Sequence, residues 1–239
     1  MPTFHCFDPK VRPDTTVWHL PTEESHHLVK VLRAREGDRV FLLNGQGLKL
    51  EGTLALPDPK SAKIDIHGQQ AFETPRPGIC LAVCIPKPKT IETIVRQATE
   101  MGVFQIHFLD SERSEVPKGF LDSPKKLEKF YKIAQEACKQ SENPFLPEIR
   151  MGQKLTTWLE QRDEPGSHWV AHPARDSLTT CPKPQPGQDK MWILVGAEGG
   201  LTDTEFEQAA KSGFSPVNLG RSILRVETAC VALCARASM

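Results

Sequence analysis

The stretch at residues 191–213, MWILVGAEGGLTDTEFEQAAKSG, constrains the fold more than any other. The run Ile193-Leu194-Val195 has the unbroken apolar character of a strand buried on both faces, and it stops at Gly196, Gly199 and Gly200. Thr202 with Glu205 three residues on spells a capping box, and Phe206, Ala209 and Ala210 share one helical face until Gly213. The expected order is strand, glycine loop, helix. In a parallel sheet such a loop lies at the carboxyl end of its strand, where ligands bind and glycines let backbone approach them. One carboxylate, Glu198, stands inside it. The spacing is G-x-x-G-G, so neither the dinucleotide fingerprint nor the P-loop is present.

A second turn repeats this logic. In VNLGRSILRVETACVALCA a strand ends at Leu219-Gly220, a short basic turn follows, and a helix of small residues begins near Glu227. Two ligand-shaped turns at neighbouring strand ends could line one pocket.

The rest of the chain supplies the context. Short strands are expected at 3–7, 17–20, 39–43, 48–56 and 62–67, with one helix at 23–32 and a hairpin marked by Asn44-Gly45. They suggest a compact, partly closed β-barrel. The two prolines of residues 72–78 read as a linker. Beyond it, strands at 79–85, 105–109, 169–171, 193–195 and 216–219 alternate with helices at 90–101, 124–140 and beyond, an α/β pattern.

Thirty basic residues balance thirty acidic ones, so only local patches can favour nucleic acid. The densest is HHLVKVLRAREGDR, with Lys30, Arg33, Arg35 and Arg39; KKLEKFYK at 125–132 is a second, and a solvated helix face is the alternative for both. Seven cysteines without a C-x-x-C pair argue for buried thiols in a reducing compartment. Cys80/Cys84 and Cys230/Cys234 are each four apart and no histidine completes a metal site, so packing is expected. No apolar run approaches the roughly 20 residues of a membrane span, and MPTFHCFDPK is unlike a signal peptide, so a cytoplasmic location is expected.

LVGAEGGLTDTEFEQA followed by LGRSILRVETA resembles the C-terminal signature of the SPOUT methyltransferases, most closely the RsmE family of small-subunit rRNA uridine-N3 methyltransferases. HHLVKVLRAREGDRVFLLNGQG, KPKTIETIVRQATEMGVFQIHFLDSERS and KIAQEACKQSENPFLPEI are similar to the family's other segments, in the same order. The resemblance implies a PUA-like RNA-binding β-barrel at 1–72 and, at 73–239, a SPOUT α/β domain with a deep trefoil knot that binds S-adenosyl-L-methionine in a homodimer. It implies cofactor contacts at His172, Leu194, Gly196, Glu198, Gly199, Gly200, Leu219, Gly220, Ile223 and Leu224, with Pro173 beside His172. Lys30, Arg33 and Arg35 become the expected RNA contacts, and 16S rRNA or the small ribosomal subunit the expected partner.

Methylation at uridine N3 requires an unpaired base, removal of a weakly acidic proton and alignment with the methyl donor. Arg225 is placed to stabilise the uridinate and Glu227 to take the proton, with stabilisation of the last helix's N-terminus as the other reading of Glu227. No metal is needed, because the sulfonium is already an activated leaving group. Thr3, Ala197 and Glu142-Asn143 stand where the family commonly has arginine, proline and Gly-Arg. Two alternatives therefore stay open: a knotted methyltransferase acting on a ribose 2'-hydroxyl or another base, and a non-catalytic ribosome-assembly or RNA-binding factor. The small, apolar side chains of Ala229, Cys230, Ala232, Leu233 and Ala235 add to the expectation of a dimer.

Overall fold

The computed structural model describes residues 2–116, 119–120, 122–162, 166–172, 183 and 187–238. The chain divides into two compact units, Met1–Thr74 with Gln135–Leu146, and Pro75–Ala134 with Pro147–Met239.

In the first unit, β1 (Thr3–Phe7), β2 (Val17–His19), β3 (Arg39–Leu43), β4 (Leu48–Leu56) and β5 (Lys63–Ala71) form one sheet in the order β1-β3-β4-β5-β2. The β1/β3 pair is parallel, whereas β3/β4, β4/β5 and β5/β2 are antiparallel. The expected hairpin joins β3 to β4. The Asn44 carboxamide oxygen accepts from the N–H of Gln46 at 2.8 Å and of Leu48 at 3.0 Å, and Gly45 and Gly47 take the positive φ that the turn requires. Alternate residues Leu48, Leu50 and Leu54 then point into a core with Leu28, Val40, Leu42 and Ile64. The expected helix is present over residues 22–31 but is less regular than its apolar spacing suggests. It is α1 (Thr22–His26), continued by a π-helical turn, His27–Val31.

The second half of α3 (Pro124–Ser141) and the loop after it belong to this unit, a grouping that a single division of the chain near residue 72 does not describe. Cys138 packs with Phe7 and Leu43. Lys139, only 6% exposed, extends its ammonium to Glu24 Oε1 at 2.8 Å and Glu136 Oε1 at 2.7 Å, while Glu24 Oε2 accepts from the N–H of Phe7 at 3.0 Å. Burial alone would lower the Lys139 pKa, but the two carboxylates outweigh it and hold the ammonium above the ordinary lysine range. Past the helix end, Glu142 has φ of +56°, the left-handed region that glycine occupies without strain. Here the carboxylate accepts from Lys49 Nζ at 2.6 Å, which holds its pKa below the ordinary range.

The second unit carries β6 (Gly78–Cys84), α2 (Pro88–Glu100), β7 (Gln105–Asp110), β8 (Glu148–Lys154), α4 (Leu155–Glu160), β9 (His168–Ala171), β10 (Lys190–Val195), α5 (Asp203–Lys211), β11 (Phe214–Val217) and α6 (Val226–Ala237). Its six strands lie in the order β11-β9-β10-β6-β7-β8, and every neighbouring pair is parallel. All loops that follow strands therefore open at one end of the sheet. Cys80, Ala82, Cys84, Trp192 and Leu194 pack with Trp158 and Leu159 of α4, Ala209 of α5 and Phe214 at the start of β11. On the β6/β10 side, α6 packs against both strands and against α2. Because β11 is the edge strand beyond β9, the chain must pass back across β9 to place α6 there.

Several boundaries differ from the sequence expectation. Strand β11 starts two residues earlier, directly after Gly213, and its Pro216 is tolerated because the strand pairs on one side only. Helix α2 starts at Pro88, whose missing N–H costs nothing in the first turn. The buried face of α6 (Ala229, Cys230, Leu233, Cys234) is covered within the chain. Among the described residues, no helix is long and apolar enough to cross a membrane.

Replacing Lys139 with Met should leave the half-buried Glu24 carboxylate without its cationic partner, and cost about 3 kcal/mol in denaturant unfolding of the intact chain. A Lys139→Met/Glu24→Gln double variant should lose less. Because folding raises the Lys139 pKa, its stabilisation is complete below the unfolded value of 10.5 and fades as pH rises through the folded one. The gap between parent and Lys139→Met should close over that alkaline range.

Candidate active site at the carboxyl ends of the parallel strands

The loop after β10 is held from three directions. Within it, Gly200 N–H donates to the Ala197 carbonyl at 2.8 Å, closing a turn that needs the +72° φ of Gly200. Glu198 Oε1 accepts from the backbone N–H of Lys87, the residue that caps α2, at 3.0 Å. The Glu198 carboxylate thus ties the loop after β10 to the one after β6. From the turn after β7, Arg113 Nη1 donates to the carbonyls of Gly199 at 2.9 Å and Leu201 at 3.1 Å.

Glu205 joins the same ends. The capping box expected from sequence is present: Thr202 Oγ1 accepts from Glu205 N–H, and Glu205 Oε2 accepts from Thr202 N–H at 2.9 Å. The other oxygen, Oε1, accepts from Glu112 N–H at 2.9 Å. This carboxylate is 1% exposed, so both oxygens hold backbone donors that would otherwise face a low-dielectric interior.

The loop's glycines have reasons within the protein itself. A Cβ on Gly196 would come within 2.9 Å of the Gly200 carbonyl carbon and 3.0 Å of Leu201 N. A Cβ on Gly199 would meet the Arg113 stem, at 3.2 Å from its Cβ and 3.4 Å from its Cδ. What stands close to these glycines is the protein itself: backbone of the same loop at Gly196 and the Arg113 stem at Gly199.

The remaining site residues lie on neighbouring strands. His172 directly follows β9; its N–H donates to Val217 O at 3.1 Å and its ring centroid lies 4.2 Å from that of Phe206. Pro173 lies outside the described residues. After β11, Gly220 has φ of +122°, donates to Asn218 Oδ1 at 2.9 Å and, among the described residues, has no neighbour within 4 Å of where a Cβ would stand. Leu219 and Leu224 are half-buried, and Ile223 is 84% exposed, a large apolar side chain standing in solvent on this turn. Arg225 is exposed and occupies the N-cap of α6; Glu227 lies in the first turn of that helix. Strand order β11-β9-β10 thus brings the three loops of the sequence-predicted site to adjacent strand ends. Lys30, Arg33 and Arg35 belong to the other unit, exposed around the end of the π-helical turn beside exposed Val31 and Leu32.

Sequence reasoning did not single out Lys87 N–H, Glu112 N–H or Arg113. Two of these are backbone groups with no side-chain signature, and Arg113 stands 86 residues from the carbonyl it serves. The paired cysteines sit in packing positions. Cys80 and Cys84 are buried on β6, and burial pushes the Cys84 and Cys234 thiols up to about 12. Among the described residues, no group of three metal-ligating side chains comes together.

Residues 72–238 match the model of an RNA methyltransferase domain, and residues 20–66 match an RNA methyltransferase PUA domain. The chain belongs to the RsmE family of ribosomal RNA small subunit methyltransferases. A family member from Synechocystis sp. is 31% identical over 221 residues, spanning 88% of this chain and 69% of that protein. One from Bacillus subtilis is 28% identical over 215 residues, spanning 87% and 84%. The crystal structure of ribosomal RNA small subunit methyltransferase E from Neisseria gonorrhoeae, bound to S-adenosylmethionine, superposes with a TM-score of 0.85 at 25% identity. It covers 98% of this chain and 96% of that one. A Legionella pneumophila structure in complex with the same cofactor gives 0.86 at 25% identity, over 100% and 98%.

Because a Cβ on Gly196 meets backbone and one on Gly199 meets a side chain able to move, the two alanine variants should differ. Gly196→Ala should cost about 1–3 kcal/mol in thermal unfolding, the range for overpacking, and Gly199→Ala clearly less. Equal costs would show that the loop repacks as a whole.

Proposed function

We propose that this protein methylates N3 of one uridine in 16S rRNA, with S-adenosyl-L-methionine as methyl donor. The observation that carries this reading is the convergence of the glycine loop after β10 and the Arg221-to-Arg225 turn after β11 at neighbouring strand ends, with Arg225 and Glu227 opening α6 beside them. The S-adenosylmethionine-bound relatives share the fold over nearly the whole chain, which supports the same cofactor here.

The residues present suit that cofactor. The room beside Gly220 among the described residues, the exposed apolar side chain of Ile223, and the neighbouring Leu219 and Leu224 offer a narrow, apolar-walled turn for an adenosine-like group. Gly196, Glu198, Gly199 and Gly200 form the opposing loop, with Leu194 on the strand that leads into it, and His172 is the wall between them. When bound, the cofactor supplies a methyl group on a positively charged sulfur, so the protein need not activate the leaving group. Its own task is at the base. Glu227 takes the N3 proton and the Arg225 guanidinium stabilises the uridinate left behind, both from the start of α6.

In this reading residues 1–72 form a PUA-like β-barrel that binds RNA through Lys30, Arg33 and Arg35, and residues 73–239 form the SPOUT methyltransferase domain. The return of the chain across β9 to α6 supports threading into a deep trefoil knot. A homodimer and a cytoplasmic site of action, where the small ribosomal subunit is found, complete the reading.

The test is methyl transfer to small subunits and to naked 16S rRNA lacking the modification, followed by nucleoside mass spectrometry. The expected product is 3-methyluridine at one position. A 2'-O-methyl or other base product would instead indicate a different knotted enzyme. Cofactor binding without transfer to either substrate would indicate an assembly factor. Arg225→Ala should lower kcat by about a hundredfold or more, the scale of losing one transition-state charge partner, with cofactor affinity little changed. Replacing Lys30, Arg33 and Arg35 together with Ala should make the salt dependence of RNA binding shallower, by up to about three units of slope. Unchanged binding at two salt concentrations would remove these three from the RNA contacts.

A further inference from the structure

We infer that Arg113 is a positioning residue for the methyl-donor site: it fixes the conformation of the glycine loop after β10 by holding two of that loop's carbonyls, and Gly199 is glycine to make room for it. This inference rests on the proposed cofactor role of that loop. The geometry is specific. One guanidinium nitrogen, Nη1, donates to both Gly199 O and Leu201 O, at 2.9 and 3.1 Å, bracketing the turn on which Gly200 takes positive φ. The stem of the same side chain lies over Gly199, where a Cβ would stand 3.2 Å from Arg113 Cβ.

The loop needs such a clamp. Three neighbouring glycines leave its backbone with many accessible conformations. Its internal Gly200–Ala197 hydrogen bond closes only one turn, and Glu198 reaches away to Lys87. With Arg113 in place, the carbonyls of Gly199 and Leu201 are committed to the guanidinium, so the loop meets a ligand with its other groups already oriented. A site that is pre-formed in this way binds without first ordering its backbone. Glu112, next in sequence, gives its N–H to buried Glu205, which anchors the turn that carries Arg113.

The experiment compares the parent with Arg113→Met, Arg113→Lys and Arg113→Ala. Arg113→Met retains a long apolar stem but has no donor, so S-adenosylmethionine affinity should fall about tenfold or more, the scale of a lost charge-assisted hydrogen bond. Only one donor nitrogen is used, so Arg113→Lys should recover part of the affinity. Amide hydrogen exchange over residues 196–201 should quicken in Arg113→Met without any ligand, while the melting temperature of the variant stays near that of the parent. Gly199→Ala should weaken cofactor binding several-fold in the parent and less in Arg113→Ala, which keeps the Cβ at 3.2 Å but removes the rest of the stem, so that the remaining methyl is free to shift. The exchange measurement separates this inference from the one it rests on. A parent that fails to bind S-adenosylmethionine, with exchange still quickened by Arg113→Met, removes the cofactor role and with it the inference as stated, leaving only a loop clamp. Unchanged exchange at 196–201, or affinity within about twofold of the parent in a folded Arg113→Met, overturns the inference outright.

Discussion

The carboxylate of Glu205 is the interaction on which the ligand end of the sheet depends. It is almost fully buried, and its two oxygens receive backbone N–H groups from different places: Thr202, at the start of its own helix, and Glu112, in the turn after β7. A buried carboxylate is costly unless its lone pairs are filled. Filling them here fixes where α5 begins and where the β7 turn lies. Two further polar links follow from that placement, Arg113 to the carbonyls of Gly199 and Leu201, and Glu198 to the N–H that opens α2. Three loops from β6, β7 and β10 are thereby joined by polar links.

The two units divide the labour of stabilisation differently. In the parallel sheet the central strands β6 and β10 are buried along nearly their whole length, so its core forms largely by hydrophobic burial. The first unit is built from a smaller sheet with a half-exposed face, and it recruits the distant segment Gln135–Leu146. That recruitment uses ions as well as packing: Lys139 between Glu24 and Glu136, and Glu142 on Lys49. Ion pairs specify register and partner more than they add stability, which suits a segment that must find one place among many.

What the sequence disclosed follows the range of its signals. The capping box at Thr202, the Asn44-Gly45 hairpin and the apolar run of β10 are encoded within a few residues, and each is found where expected. Strand β8 was not legible, because EIRMGQK lies at the sheet edge with little burial and shows a single strongly apolar inward residue, Ile149. Helix α4 follows it after no loop at all, leaving no break to mark it. Strand order is invisible locally, since β9 sits between β10 and β11 only through long connections. At the candidate site the glycines were legible, but not what stands against them: Arg113, 86 residues away, over Gly199, and the Gly200 backbone, brought back by the turn, against Gly196. The family resemblance supplied what local pattern lacked, and it covers both units.

The central claim is that the glycine loop after β10 and the turn after β11 together hold the methyl donor. A crystal structure of this chain with S-adenosylmethionine tests it most directly. The account predicts density for the cofactor between residues 194–200 and 219–225, within contact of His172, with Arg113 still donating to the carbonyls of Gly199 and Leu201. Cofactor bound elsewhere on the chain, or a loop whose carbonyls have left Arg113 to meet it, would contradict the account.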